Sequence, residues 1–249
     1  LGTDKDLDSF TTDVCRDYLT GNFHGQRMVA YYLGPESASR VCAKVSRGFV
    51  GMRSSGLPLD RRMPEPLAAF NVRRDMETHQ SHTVVGARLP GLGNPRRDAI
   101  ALVTNILGGP GMNSRLNISL RERRGLVYTV EASTTMFSDC GLFNIYFGCD
   151  PADRDRCLEL VGKELRLMAD NPLTALKLAA AKKQYLGQMI VASENLEQGI
   201  LSMGRSLLMT GEVRSRGMMQ RAVESLSSDD IAEVADMLRP EKCSVLSLG

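Results

Sequence analysis

The segment Leu120-Arg121-Glu122-Arg123-Arg124-Gly125-Leu126-Val127-Tyr128 sets a guanidinium and a phenol seven residues apart, at the end of one element and the start of the next. Both groups donate hydrogen bonds, and neither is a base at neutral pH. A pair of that kind suits a substrate carbonyl or an oxyanion, not proton abstraction. The same residues also have a purely structural explanation. Cations in a last helical turn complement the macrodipole, and Gly125 is the residue that ends such a helix. Spacing fits both readings.

Other candidates weigh less. His79-Gln80-Ser81-His82 would offer two imidazoles to a metal if it were helical, but the alternation that follows, Thr83-Val84-Val85, predicts a strand, where positions three apart face opposite ways. Neither H-E-x-x-H nor H-x-x-E-H spacing occurs, and His24 is the one remaining histidine. Leu107-Gly108-Gly109-Pro110-Gly111-Met112-Asn113-Ser114 lacks the glycine spacing and the lysine of a phosphate loop, and it follows a predicted helix; it reads as a tight helix–helix turn. There is no Gly-x-Ser-x-Gly elbow. Asp229-Asp230 sits at a helix start, where capping accounts for it. The late stripe of Met189, Ile190, Met203, Leu207, Leu208 and Met209 reads as helical core.

The elements that must position these groups form a mixed pattern. The spacing predicts a helix over 8–20 with Thr11 as N-cap, a strand at 28–33 and a helix at 36–48. Gly and Pro then punctuate 51–66 as a linker. Strands at 69–77 and 80–88, helices at 94–107 and 113–124, and strands at 126–135 and 141–148 follow. In the first of that last pair, alternation puts Leu126, Tyr128 and Val130 on one face and Val127 and Thr129 on the other. Helices at 152–169, 173–192, 195–210, 213–224 and 228–238 lead to a strand at 243–248. The closing helix and strand, opened by Ser227-Ser228-Asp229, repeat the opening pair, begun by Thr11-Thr12-Asp13.

Composition excludes several classes. The 31 basic and 29 acidic side chains nearly cancel, which predicts no nucleic-acid partner. No apolar run approaches the roughly 18 residues of a membrane span, and no signal peptide is visible at the start. Six cysteines, at 15, 42, 140, 149, 157 and 243, form no C-x-x-C pair and read mostly as buried small hydrophobes in a reducing compartment, the cytoplasm, with the periplasm or an organellar matrix as alternatives. The chain opens on Leu1, which reads as a piece of a longer protein.

With these residues in view, the chain resembles the pitrilysin/insulinase family of zinc metallopeptidases, in its second, non-zinc half. The resemblance rests on the run from Leu107 to Leu116, on Leu120 to Tyr128, and on Asp139-Cys140-Gly141-Leu142-Phe143. Leu1-Gly2-Thr3, Ser9-Phe10-Thr11 and Arg27-Met28-Val29 resemble the end of the family's first half. Pro110 and Cys140 depart from the usual pattern. The resemblance implies an α+β fold, an antiparallel sheet with helices packed on it, forming one complete half of a two-half metallopeptidase. Residues 1–52 would be the tail of the zinc-bearing half, 53–65 a linker, and 66–249 the second half. It implies zinc in the parent enzyme, held by a half this chain does not contain, and a peptide as substrate. Arg121 and Tyr128 would bind the peptide carbonyl and its oxyanion. The zinc-bearing half or subunit would be the partner and the parent protein a dimer, with this chain inactive when isolated. The alternative is a non-catalytic scaffold or partner subunit of the same fold.

Overall fold

A computed structural model describes residues 2–52 and 64–249. Positions 53–63 of the expected linker lie outside the described residues. Two compact units emerge, one formed by Leu1–Arg62 with Ser193–Arg214, the other by Met63–Ala192 with Ser215–Gly249.

In the smaller unit the first expected helix is two: α1 (Asp4–Asp8) and α2 (Thr12–Asn22). The break falls at Ser9-Phe10 because Thr11 takes an extended backbone and caps α2, its hydroxyl accepting from the Val14 amide. Helix α3 (Ala38–Gly48) follows. Residues 28–33 form no strand. Their side chains favour extended backbone, but a strand also needs a neighbour for its N–H and C=O groups, and among the described residues no strand pairs with them. Tyr31 instead lays its ring on Gly204, where any Cβ would overlap it. The repeat therefore holds for the two capped helix starts and not for the first strand.

The larger unit carries β1 (Asn71–Arg74), β2 (Ser81–Pro90), α4 (Arg97–Gly108), β3 (Val127–Met136), β4 (Cys140–Cys149), α5 (Arg154–Asp170) and α6 (Ala175–Ala192). Helix α7 (Leu196–Thr210) belongs to the smaller unit; α8 (Arg216–Ser225), α9 (Ser228–Met237) and β5 (Ser244–Leu248) complete the larger. The sheet runs β1-β5-β2-β4-β3, antiparallel except between β1 and β5. This is the expected α+β architecture.

Strict alternation decides which face is covered. Val85, Ala87 and Leu89 of β2 and Phe143, Ile145 and Phe147 of β4 point into the core, where they meet Leu102, Val103 and Leu107 of α4, Val161 and Leu165 of α5, and Ile231 and Val234 of α9. Thr83, Ser247 and Arg154 pair with one another inside this layer, whereas the buried Ser81 hydroxyl has no partner among the described residues. The Ser247 hydroxyl lies 3.0 Å from that of Thr83 and accepts from Arg154 Nε at 2.9 Å.

Helix α9 begins with a reciprocal cap. The Asp230 amide donates to Ser227 Oγ, while the Ser227 amide donates to the Asp230 carboxylate at 2.7 Å. These bonds from Ser227 hold the Asp230 carboxyl below the usual carboxylate range. A group depressed on folding contributes stability above its unfolded value and loses it as pH falls through the folded one. Ser227→Ala is expected to cost about 1 kcal/mol at neutral pH. Denaturant titrations at pH 7 and pH 3 should show that cost shrinking in acid.

Candidate active-site wall

The turn that carries Arg121 is built from its buried neighbours. Leu116 and Leu120 are fully buried, and this fixes the rotation of the segment, so that Arg121 faces solvent. The expected helix over 113–124 is shorter and wider. Residues 117–122 are π-helical, and the Arg123 amide donates to the Ile118 carbonyl, five residues back, at 3.1 Å. Single π turns inside helices recur at functional positions, because the extra residue shifts the phase of the side chains.

The segment ends as the sequence predicts. Gly125 has φ 62°, a left-handed conformation costly for any residue with a Cβ. Its amide donates to the Arg121 carbonyl at 2.8 Å, and the Leu126 amide donates to that of Leu120 at 3.0 Å. Arg124 Nη1 donates to the Ser119 carbonyl at 2.6 Å. The terminal carbonyls are thus served by the turn and by Arg124. Among the described residues the Arg121 guanidinium has no hydrogen-bond or ion-pair partner.

Tyr128 is placed by a β-bulge. Val127 pairs with Cys149 and Thr129 with Gly148, so Tyr128 has no partner across the ladder. The extra residue resets the alternation. Val127 and Val130 are both buried at 6% exposure, whereas Tyr128 is 57% exposed. This corrects the expected facing, in which Tyr128 and Val130 share a side. The phenol donates to Asp150 Oδ1 at 2.8 Å. That bond, with the negative charge behind it, holds the Tyr128 phenol above its ordinary value, so it remains a neutral, protonated group throughout the physiological range.

Asp150 is the polar residue that sequence reasoning missed. It stands one position past the β4 end, between Cys149 and Pro151, and nothing local marks it. Only the cross-strand register, Val127 opposite Cys149, brings it beside the phenol. Its carbonyl also accepts from the Asp153 amide at 3.0 Å, fixing it in a tight turn before α5.

The remaining candidates are structural. The glycine-rich turn docks α4 onto its neighbours: a Cβ on Gly108 would lie 2.5 Å from the Ala132 nitrogen of β3. Asn105 donates to Gln188 at 2.6 Å and Asn113 to Gln184 at 2.7 Å, tying the turn to α6. His82 lies on β2, as the alternation predicts, and shares a 2.8 Å hydrogen bond with the Tyr146 hydroxyl. His79 lies exposed before that strand, and His24 is buried in the smaller unit. Among the described residues no group of three or more His, Cys, Asp or Glu side chains is placed to hold a metal. The donor set present therefore does not fit zinc.

Comparison with known proteins agrees with this architecture. The sequence profile described as "Peptidase M16 inactive domain" matches residues 9–185. An uncharacterized zinc protease of Streptomyces coelicolor is 31% identical over 262 residues, an alignment covering all of this chain and 56% of that protein. A probable mitochondrial-processing peptidase subunit alpha-2 of Arabidopsis thaliana is 25% identical, over 98% of this chain and 50% of its own length. The chain thus spans about half the length of the curated relatives it matches. A crystal structure of a peptidase M16 inactive domain from Pseudomonas fluorescens superposes with a TM-score of 0.88 at 19% identity, covering all of this chain and 59% of that one, a likeness of fold. With a profile match running from just before α2 through the Arg121 turn and the β3–β4 hairpin into α6, the chain belongs to the family of peptidase M16 inactive domains, the C-terminal, non-zinc portion of pitrilysin-type proteins.

Proposed function

We propose that this chain forms the wall of a peptide chamber opposite a zinc-bearing half, and that Arg121 and Tyr128 bind the scissile carbonyl and stabilise its tetrahedral oxyanion. The observation that carries this reading is the uncommitted Arg121 guanidinium. It stands exposed on a rigid π turn, one left-handed glycine away from the strand whose bulge presents a protonated phenol. Two donors on neighbouring elements suit an oxyanion, and the nearby Asp150 carboxylate is engaged by the phenol. Zinc is assigned to the other half, and no step performed by these residues passes through it. The names of the relatives, zinc protease and mitochondrial-processing peptidase, support a peptide as the substrate.

The smaller unit supports a partner half. None of α1, α2 and α3 contains a buried residue. Leu7, Phe10 and Tyr18 are each more than 60% exposed. Apolar surface on that scale is normally covered by another protein body.

The test is Tyr128→Phe in the intact two-half protein, with cleavage of an internally quenched peptide as readout. Turnover should fall about 10²-fold while the thermal midpoint stays put. Turnover equal to wild type would overturn the assignment. An intact assembly that cleaves no peptide under any condition would favour the scaffold alternative.

A further inference from the structure

The Tyr128–Asp150 hydrogen bond has a consequence for how the phenol is used. A phenol has one proton and two lone pairs. With the proton directed at Asp150 Oδ1 at 2.8 Å, the resting hydroxyl has no proton left for a peptide carbonyl. To engage substrate it must exchange one acceptor for another. The two candidates differ in strength, since bonds to ionised acceptors are roughly twice as strong as neutral ones. A ground-state peptide carbonyl is neutral and a poor competitor for a proton held by a carboxylate. The oxyanion of the tetrahedral intermediate is charged and, as an alkoxide, a much stronger base than a carboxylate, so it wins the hydrogen bond.

Resting on the reading of Tyr128 as an oxyanion donor, we propose that Asp150 is a positioning residue that withholds the Tyr128 proton from the ground-state carbonyl and yields it to the oxyanion. Such an arrangement makes the phenol's binding energy differential: it appears in the transition state and not in the Michaelis complex, where it would only tighten substrate. The geometry suits this role. Tyr128 is the unpaired residue of the bulge, Asp150 follows the strand position opposite it, and the turn closed by Asp153 N–H to Asp150 C=O holds the carboxylate in place. Pro151, next in the chain, limits the backbone further. Both side chains reach solvent, so the proton changes partner without unpacking the core.

The experiment compares wild type, Asp150→Asn, Tyr128→Phe and the double variant in the intact two-half protein. Each is measured for peptide turnover and for the Kd of a non-cleavable peptide. Asp150→Asn keeps the shape and an acceptor oxygen but removes the charge that outbids a carbonyl. Binding of the non-cleavable peptide should tighten about five-fold, KM should fall with it, and kcat/KM should rise by at least the same factor, because a weaker bond to Tyr128 is broken between free enzyme and transition state. In the Tyr128→Phe background Asp150→Asn should change neither quantity. A merely structural Asp150 would instead weaken binding or lower the thermal midpoint, and would do so whether or not the phenol is present. Unchanged or weaker binding in Asp150→Asn, with Tyr128→Phe still impairing turnover, overturns this proposal and spares the Tyr128 assignment. Tyr128→Phe turning over like wild type removes both.

Discussion

Arg121→Ala in the intact protein is expected to lower kcat by about 10³-fold, close to 4 kcal/mol of transition-state stabilisation, while KM moves little. The prediction follows from where the side chain stands. It is exposed, it has no hydrogen-bond or ion-pair partner among the described residues, and its backbone is held by Leu120, Gly125 and the π turn rather than by its own head group. Removing it leaves the fold untouched. If Arg121 only complemented the helix end, alanine would cost about 0.3–1 kcal/mol of stability and turnover would be unaffected. The two readings differ in which quantity moves, so one kinetic assay and one melting curve separate them. Arg121→Lys sharpens the contrast. Lysine keeps the charge but not the planar fork, so it should restore helix-end stability fully and turnover only in part.

How much of this was legible in the sequence depends on the range of the interaction that sets each feature. Thr11 and Ser227 announced their helices because a cap is decided within four residues. Gly125 announced its turn for the same reason. The spacing marked strands at 80–88 and 141–148, and the structure buries alternate residues from Ser81 to Leu89 and from Gly141 to Phe147. Tyr128 is the counter-example. Its alternation reads cleanly as Leu126, Tyr128, Val130, and the bulge that breaks it arises from pairing with β4, about twenty residues downstream. Residues 28–33 failed in the opposite direction. Their composition favours a strand, but a strand is a property of two segments, and no described strand lies beside them. Asp150 was silent because a carboxylate before a proline signals a turn, and only cross-strand register makes it the partner of a phenol.

The second large effect concerns the frame that holds this site. Phe143→Ala should destabilise the larger unit by about 3–5 kcal/mol, because the ring is fully buried at the centre of β4 and its loss leaves a cavity between the sheet and α4. For a unit of this size that corresponds to a fall of roughly 10 °C in the thermal midpoint. Leu142→Ala, one residue away, should cost less than about 1 kcal/mol, since Leu142 is 45% exposed on the opposite face. Two neighbouring truncations of large apolar side chains therefore test the strand alternation directly, and equal costs would refute the assigned faces. The pair also separates frame from chemistry. Phe143 lies opposite Ala87 and Thr134, away from the Cys149–Val127 end where the phenol and Asp150 sit. Below its lowered midpoint, the Phe143→Ala protein should cleave peptide at close to the wild-type rate, whereas Arg121→Ala should stay slow at every temperature. A Phe143→Ala protein that is folded and yet inactive would mean that packing at the centre of the sheet sets the bulge, and that the donors are aimed by the core rather than by their own turn.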